Sequence, residues 1–495
     1  MAAFIGKASA MQTADPSERL CYSRIIQLFD EDSFVSMDNQ VVSRSFSESF
    51  DRPKVEGDGV VTGYGTIDGR LVFAASQDPD VYGGSIGRSH AMKIVKVVGM
   101  AISSGAPFVA LYSSGGARIE EGVLALEGLG AVLSALTQAK GRIPLISAIL
   151  GPCPGGVALA AVQSDFILFG SETSRMYMNS PAVTAAQSGD AVQPSEIGTP
   201  LTHQKETGLA SFVLNSDEEC MQKIRQIFEY ISVSTGDTVS FVREMDPQDD
   251  PNRISGKLND MASDIDDDGL DIRMIFSEIS DRQTYLEISE GYGTDMVIAL
   301  TKLDGISVGL IGNADLRMTE SGAKKTAKFV RFCTNFRIPV ITFTNAEGFV
   351  VGTDIEKSGI IEAAAELICA FSESDIPRIS VLSGMAIGSA YLSLNSRMLG
   401  ADAVFAWPTA QVAIMTADSA ANILFRKEIA ASPDPIAARI EKVAAYREQI
   451  SDPQIAAGYG QIDEIILPSV TRPRIISALD ILLCAYPLIE KSTQP

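Results

Sequence analysis

The chain repeats itself. Gly65-Thr66-Ile67-Asp68-Gly69 returns as Thr301-Lys302-Leu303-Asp304-Gly305, and Ala91-Met92-Lys93 as Ala323-Lys324-Lys325. Ala106-Pro107 before an apolar run returns as Ile338-Pro339. Ile143-Pro144-Leu145-Ile146-Ser147 returns as Ile376-Pro377-Arg378-Ile379-Ser380, and Gly155-Gly156 falls opposite Gly388-Ser389. The offset stays between 232 and 236 residues at every landmark. A shared offset means one folding unit used twice, so whatever one half adopts the other must adopt as well.

Within each half, short apolar runs alternate with helical patterns. Leu71–Ala75, Phe108–Tyr112 and Ile143–Leu150 read as strands, and Arg88–Ser103 and Glu120–Gln138 as helices. Such alternation predicts an α/β fold. Residues 1–53 read as an N-terminal helical arm, with Leu20, Ile25, Ile26 and Phe29 at helical spacing. Residues 54–233 form the first domain and 269–495 the second. Residues 234–268 between them carry Asp246-Pro247-Gln248-Asp249-Asp250-Pro251 and Asp264-Ile265-Asp266-Asp267-Asp268, and read as a linker.

Hydrophobic residues make up 46% of the 495 and charged ones 21%, so the chain can bury two sizeable cores. The formal charge of −22 argues against nucleic acid or anionic lipid as partner. An anionic ligand would need local donors working against that field. The six cysteines are scattered without CxxC or metal-ligand spacing, as expected of reduced thiols in a cytoplasmic protein without a metal site. Met1–Ala10 lacks the apolar stretch of a signal peptide. The apolar tracts Ile149–Val162 and Ile475–Ile489 are broken by Gly, Pro or Asp and predict no membrane span.

The informative chemistry lies in two turns. Ile149-Leu150 runs into Gly151-Pro152-Cys153-Pro154-Gly155-Gly156 and a helix from Val157. Val381-Leu382 runs into Ser383-Gly384-Met385-Ala386-Ile387-Gly388-Ser389 and a helix from Ala390. Small residues at a strand-to-helix turn let a ligand reach the backbone. Amides at a helix start lack internal partners, and two of them aimed at one oxygen form an oxyanion hole. Close helix–strand packing is the competing explanation of the same small residues. Neither following helix carries Asp, Glu or His, and the chain has two histidines only, His90 and His203. A hydratase or isomerase needs a positioned acid or base, so the pattern favours stabilising negative charge through the main chain.

At these residues the chain resembles the biotin-dependent acyl-CoA carboxyltransferase family, which includes propionyl-CoA and acetyl-CoA carboxylase β subunits and methylmalonyl-CoA decarboxylase α subunits. The likeness runs from Asp15 to Leu483. In the first half it rests on Gly57-Asp58-Gly59-Val60-Val61-Thr62-Gly63-Tyr64-Gly65, Tyr82-Gly83-Gly84-Ser85-Ile86-Gly87 and Ser114-Gly115-Gly116-Ala117-Arg118-Ile119-Glu120-Glu121-Gly122, with the first turn. In the second half it rests on Gly348-Phe349-Val350-Val351-Gly352-Thr353-Asp354, Ala406-Trp407-Pro408-Thr409-Ala410 and Asn422-Ile423-Leu424-Phe425-Arg426-Lys427-Glu428-Ile429.

The resemblance implies tandem crotonase-like (ClpP/crotonase) ββα superhelix domains and a homo-oligomer, commonly a hexamer, with sites shared between chains. It implies that Gly155 and Gly156 hold the thioester oxygen of an acyl-CoA enolate, and that Gly388, Ser389 and Ala390 hold the ureido oxygen of biotin. Substrate contact is carried over to Ser114, Gly115, Gly116, Ala117, Arg118 and Leu392. Biotin would arrive on a separate biotin carboxyl carrier protein, with a biotin carboxylase or membrane decarboxylase subunits as further partners. CO2 would move between carboxybiotin and the α-carbon of a CoA thioester in either direction.

The chain departs from the family pattern at Ser113 and Leu392, where Asp is usual, and at Ser389, where Gly is usual. A non-catalytic assembly role is therefore an alternative, and an ordinary crotonase hydratase or thioesterase a more distant one. Three motifs invite other readings. Gly83-Gly84-Ser85-Ile86-Gly87 fits a hydrolase nucleophile elbow but lacks a strand leading directly into Ser85. Ala91-Met92-Lys93 resembles a biotin-attachment sequence but sits in a helical pattern. Arg88, Lys93, Lys96 and Arg118 are candidate contacts for CoA phosphates.

Overall fold

A computed structural model describes residues 19–43, 55–171, 173–189, 192–193, 195–231, 241–244, 249–263, 271–282, 284–484 and 488–491. The chain divides into two compact units, residues 1–239 and 240–495.

The first unit is built on a seven-stranded sheet. In spatial order its strands are Val35–Met37, Val60–Ile67, Arg70–Gln77, Phe108–Tyr112, Leu145–Ile149, Phe166–Phe169 and Phe212–Val213. The first three are antiparallel neighbours and the rest parallel. The central parallel strands Phe108–Tyr112 and Leu145–Ile149 are buried along their whole length, because helices such as Arg88–Ser104 and Val123–Ala139 cover the sheet. The second unit repeats that order with Leu286–Ile288, Met296–Leu303, Ile306–Asn313, Val340–Ala346, Arg378–Ile387, Ala403–Ala406 and Glu464–Ile465, and adds three short strands beside it. Helices Glu320–Asn335 and Ile360–Ser372 stand where Arg88–Ser104 and Val123–Ala139 stand in the first.

The sequence landmarks prove to be hairpin and ladder devices. Asp68-Gly69 and Asp304-Gly305 each form a two-residue hairpin turn with both residues at positive φ, the geometry that matches strand twist. Each landmark proline opens a strand and gives its carbonyl to the adjacent one. Pro107 O accepts from Phe73 N, Pro144 O from Phe108 N, Pro339 O from Gly309 N and Pro377 O from Val340 N, all at 2.8–3.0 Å. A proline fits a strand's first residue because no ladder donor is required of it there.

Two stretches differ from the sequence reading. In the 1–53 arm, helix Leu20–Leu28 and strand Val35–Met37 belong to the first unit. Cys21, Ile25 and Leu28 are buried, and Arg24 pairs with Asp217. Residues 1–18 and 44–53 of that reading lie outside the described residues. In the 234–268 stretch, strand Phe241–Glu244 pairs with Leu488–Lys491, and helix Gly256–Ser263 buries Leu258 and Ala262. Asp249, part of the acidic run, is buried against Arg253 and Arg472. The Asp249 charge is thus spent on internal pairs, and these pieces belong to the second unit. Residues 234–240, 245–248 and 264–268 lie outside the described residues.

Trp407 is fully buried in the second unit's core, its Nε1 donating to Thr471 Oγ1 at 3.0 Å. Of the six cysteines, Cys21, Cys153, Cys220 and Cys333 are buried thiols. No helix among the described residues is long and apolar enough to cross a membrane.

Candidate active site

The first turn leaves strand Leu145–Ile149, passes through Pro152–Pro154 and enters helix Gly156–Ala161. Pro152–Pro154 pairs in parallel with Arg175–Tyr177. Gly155 closes that pairing, donating its N–H to Tyr177 O at 2.8 Å. Its φ of 56° then swings the chain into the helix, a conformation that costs an L side chain about 1–2 kcal/mol. Gly156 and Val157 are the first two residues of that helix, where amides have no intrahelical partner. Gly155 therefore makes the bend with its own amide spent on Tyr177 O, and Gly156 with Val157 open the helix.

The second turn has the same construction. The end of strand Arg378–Ile387 pairs in parallel with Gln411–Ala413, Gly388 again has φ 56°, and helix Gly388–Ser393 follows. Ser389 and Ala390 stand in the first turn of that helix, where amides have no intrahelical partner. A serine is tolerated here in place of glycine because only the residue at the bend carries the positive φ. Leu392 lies exposed on the short helix, as Leu159 does at the matching place in the first unit.

Behind each turn, a glycine makes room for a polar side chain at the end of the neighbouring strand. A Cβ on Gly151 would collide with Ser113 Oγ, and one on Gly384 with Asn345 Oδ1. Gln77 Oε1 accepts from Ser113 N, and Asn313 Oδ1 accepts from Asn345 N. Asn345 Oδ1 also accepts from Met385 N at 2.9 Å.

The segment Ser114–Arg118 packs beside the first turn but spends most of its donors internally. Ser114 N donates to Pro152 O, Gly115 N to Gly83 O and Gly116 N to Ser114 Oγ. Of these loop amides, Ala117 N alone has no acceptor among the described residues. Arg118 is buried, its guanidinium bonded to Asp58 at 2.7 Å, Glu121 at 2.8 Å and Ser85 O at 2.9 Å, and lying over the Tyr82 ring. It is not turned toward solvent to meet a phosphate. The other candidate phosphate contacts are engaged too. Lys93 Nζ donates to Gly57 O and Val60 O, Lys96 pairs with Asp38, and Arg88 with Glu127.

Burial pulls the Lys93 ammonium down to about 8, against the pull of Asp38 and Asp58. This helix-bound lysine is no exposed attachment point. His90 is fully buried between Gln77 Nε2 and Asp58 O, and desolvation followed by the Arg118 charge holds its imidazole down to about 3. His203 is bonded to Met176 O and Thr207 Oγ1, and burial lowers its pKa. Neither histidine stands as a base at the turns. Strand Arg70–Gln77 ends well before Ser85, so no nucleophile elbow forms.

Sequence reasoning missed Asp58, Glu121, Gln77 and Tyr177. Asp58 and Glu121 fall within quoted motifs, yet their pairing with Arg118 spans as many as 60 positions, which no local spacing reveals. A separate cleft of ≈ 590 Å³ in the second unit is lined by Pro408, Gln411, Asp418, Arg439 and Arg447 and does not include the turn residues.

Four exposed apolar residues of the first unit, Ile119, Leu126, Leu159 and Met178, have exposed apolar counterparts in the second, Val351, Ile361, Leu392 and Ile414. These pairs lie 232, 235, 233 and 236 positions apart.

The sequence profile of the carboxyl transferase domain matches residues 14–486. The chain belongs to the carboxyl transferase domain family. As a carboxyltransferase it is 38% identical over 463 residues to methylmalonyl-CoA decarboxylase subunit alpha of Veillonella parvula, covering 93% of this chain and 89% of that one. It is 36% identical over 476 residues to the propionyl-CoA carboxylase carboxyltransferase subunit of Haloferax mediterranei, covering 94% and 91%. Among solved structures it superposes on transcarboxylase 12S, a hexamer with methylmalonyl-CoA and methylmalonic acid bound. The TM-score is 0.89 at 36% identity, with 96% and 90% of the two chains covered. The crotonase-like fold and the assignment to the biotin-dependent acyl-CoA carboxyltransferases implied by the motifs both stand.

Proposed function

We propose that this carboxyltransferase moves CO2 between carboxybiotin, carried by a separate biotin carboxyl carrier protein, and the α-carbon of a short acyl-CoA such as propionyl-CoA. The observation that carries the reading is the pair of equivalent strand-to-helix turns, each bent at a glycine with φ 56° and opening a helix whose first amides have no intrahelical partner. Gly156 and Val157 hold the thioester oxygen as the α-carbon gives its proton to the ureido nitrogen that biotin exposes on releasing CO2, or, in reverse, gives up its carboxylate to that nitrogen and takes the proton back. Ser389 and Ala390 hold the ureido oxygen of biotin, favouring release of CO2 or its capture. Both jobs are stabilisation of developing negative charge by fixed dipoles, and neither needs a side-chain base. Gly155 and Gly388 set the bends. Ser114, Gly115, Gly116 and Ala117 form a wall beside the acyl-CoA, and Leu392 contributes an apolar surface.

Exposed apolar residues at matching positions suit burial between copies of the chain, and a homo-hexamer, the assembly that transcarboxylase 12S forms, is the state we propose. A biotin carboxylase or a membrane decarboxylase subunit completes the system.

The test offers purified protein malonyl-, methylmalonyl- and glutaconyl-CoA with free biotin or a biotinylated carrier. Carboxyl exchange with at least one thioester is expected, and absence of exchange with all of them overturns the reading. The decarboxylating direction is the second reading, favoured by 38% identity to the V. parvula decarboxylase subunit. A net equilibrium toward biotin carboxylation, coupled to a membrane partner, would support it.

A further inference from the structure

The two turns match, but what anchors them does not. In the first unit, Asp58, Arg118 and Glu121 form a buried ion cluster: Arg118 Nη1 lies 2.7 Å from Asp58 Oδ1 and 2.8 Å from Glu121 Oε1. Asp58 also accepts from His90 N at 2.9 Å, and Glu121 from Arg88 N at 2.7 Å. At the position matching Arg118, 232 residues on, stands Val350, which has no charge to offer. The nearby cation of the second unit, Arg317, pairs with Glu347 in an exposed position.

The cluster is wired to the first turn through one short segment. Gln77 Oε1 holds Ser113 N at the segment's start, while Arg118 holds its end. Between them, Ser114 N grips Pro152 O at 2.7 Å, and Gly116 lies against the Pro154 ring. Pro152 and Pro154 lead directly into Gly155 and the first helical amides, those of Gly156 and Val157. Every strong contact of Arg118 is with the protein itself.

We infer that Arg118 is a positioning residue for the acyl-CoA half of the reaction: clamped between Asp58 and Glu121, it fixes Ser113–Ala117 against Pro152–Pro154 and so sets the aim of the first turn's amides. The inference rests on the carboxyltransferase reading and refines it. An ammonium in place of the guanidinium cannot reach both carboxylates and Ser85 O in the same fork geometry. Lysine should therefore rescue only part of the effect.

The test compares Arg118→Met, Arg118→Lys and Glu121→Gln with Arg472→Met, which breaks a buried ion pair of the second unit, Arg472 with Asp281. Steady-state exchange is measured with methylmalonyl-CoA and with free biotin as the varied substrates. Arg118→Met is expected to lower kcat/KM for the thioester about 100-fold with the KM for biotin within twofold. Arg118→Lys should recover part of that loss, and Glu121→Gln should lose about fivefold to tenfold. Arg472→Met should lower thermal stability without a selective loss on the thioester side.

Thioester parameters within twofold of the parent in Arg118→Met would overturn the inference, as would an equal loss on biotin. Should Arg118→Met fail to fold, Glu121→Gln decides by the same criterion. If the parent protein exchanges no carboxyl group at all, the functional reading fails first. The inference is then decided by calorimetric binding of methylmalonyl-CoA to the same variants, with unweakened binding by Arg118→Met counting against it.

Discussion

Gly155 and Gly388, 233 positions apart, share a positive φ of 56°. What surrounds them differs. A Cβ at Gly388 would stand 2.9 Å from Ile414 O, whereas one at Gly155 would meet Met178 O at an ordinary 3.6 Å.

The substitutions Gly155→Ala and Gly388→Ala should therefore be unequal. Both incur about 1–2 kcal/mol for the positive φ, and Gly388→Ala adds a backbone clash. Thermal unfolding should rank Gly388→Ala below Gly155→Ala, and equal midpoints would refute that account. Carboxyl exchange should fall in both by about 10²–10³, the usual effect of misaiming one oxyanion donor.

A second pair of equivalent residues clamps the hairpins. Asp30 accepts from the amides of Asp68 and Gly69 and from Arg225, and Asp281 accepts from Asp304, Gly305 and Arg472. Asp281 and Arg472 are nearly inaccessible, so Arg472→Met should cost about 3–5 kcal/mol by stranding a buried carboxylate. The more open Arg225→Met should cost under about 1 kcal/mol. Chemical denaturation of the two variants tests the order.

At Asp30, burial alone would raise the carboxyl, but the Gly69 amide, Arg225, Thr66 and Asp68 outweigh it and hold the pKa down to about 2. A depressed acid contributes its stability above the unfolded value of 3.8 and loses it as pH falls toward 2. Asp30→Asn should remove that part of the acid sensitivity. Parallel acid-unfolding curves for the parent and the variant would refute the assignment.

Lys93 and Lys325 occupy matching places, and burial brings each down to about 8 from 10.5. Between those values the unfolded chain holds protons that the folded chain has shed, so these lysines make stability rise with pH across that window. Below about 8 both are buried ammonium groups and the effect is flat. The double variant Lys93→Met/Lys325→Met should lack the rise. The difference in Tm between parent and variant should change by on the order of 5 °C from pH 8 to pH 10, and a constant difference would rule this out.

Trp407 is the sole tryptophan and lies in the second unit's core. Its fluorescence reports that unit alone, while circular dichroism reports both. Trp407→Phe should cost about 1–3 kcal/mol by removing the donor to Thr471 Oγ1. Coincident fluorescence and dichroism transitions in the parent would mean that the units unfold together, and separate ones that each has its own stability.

The repeat, the strand order it implies and both turns were legible in the sequence because each landmark answers a local demand. Asp68-Gly69 and Asp304-Gly305 satisfy a hairpin's need for positive φ, and the prolines open strands where no donor is needed. The donor register was not legible. That Gly155 spends its amide on Tyr177 O depends on a strand pairing across 22 residues, and nothing around Gly155 announces it. The fate of Arg118 was hidden for the same reason, because a lone arginine in a glycine-rich segment gives no sign of whether carboxylates or a ligand await it. Residues 256–263 were misjudged because composition outweighed Leu258 and Ala262, the buried side chains that dock their helix.

The glycines at 151 and 384 make an evolutionary demand. Each vacates the volume that Ser113 or Asn345 occupies, so the two members of each pair cannot drift independently. A lineage that enlarges the strand-end residue must keep the glycine, and one that replaces the glycine must first shrink its neighbour. Such couples should appear as covarying columns in related chains, with the two halves of the molecule free to settle on different solutions.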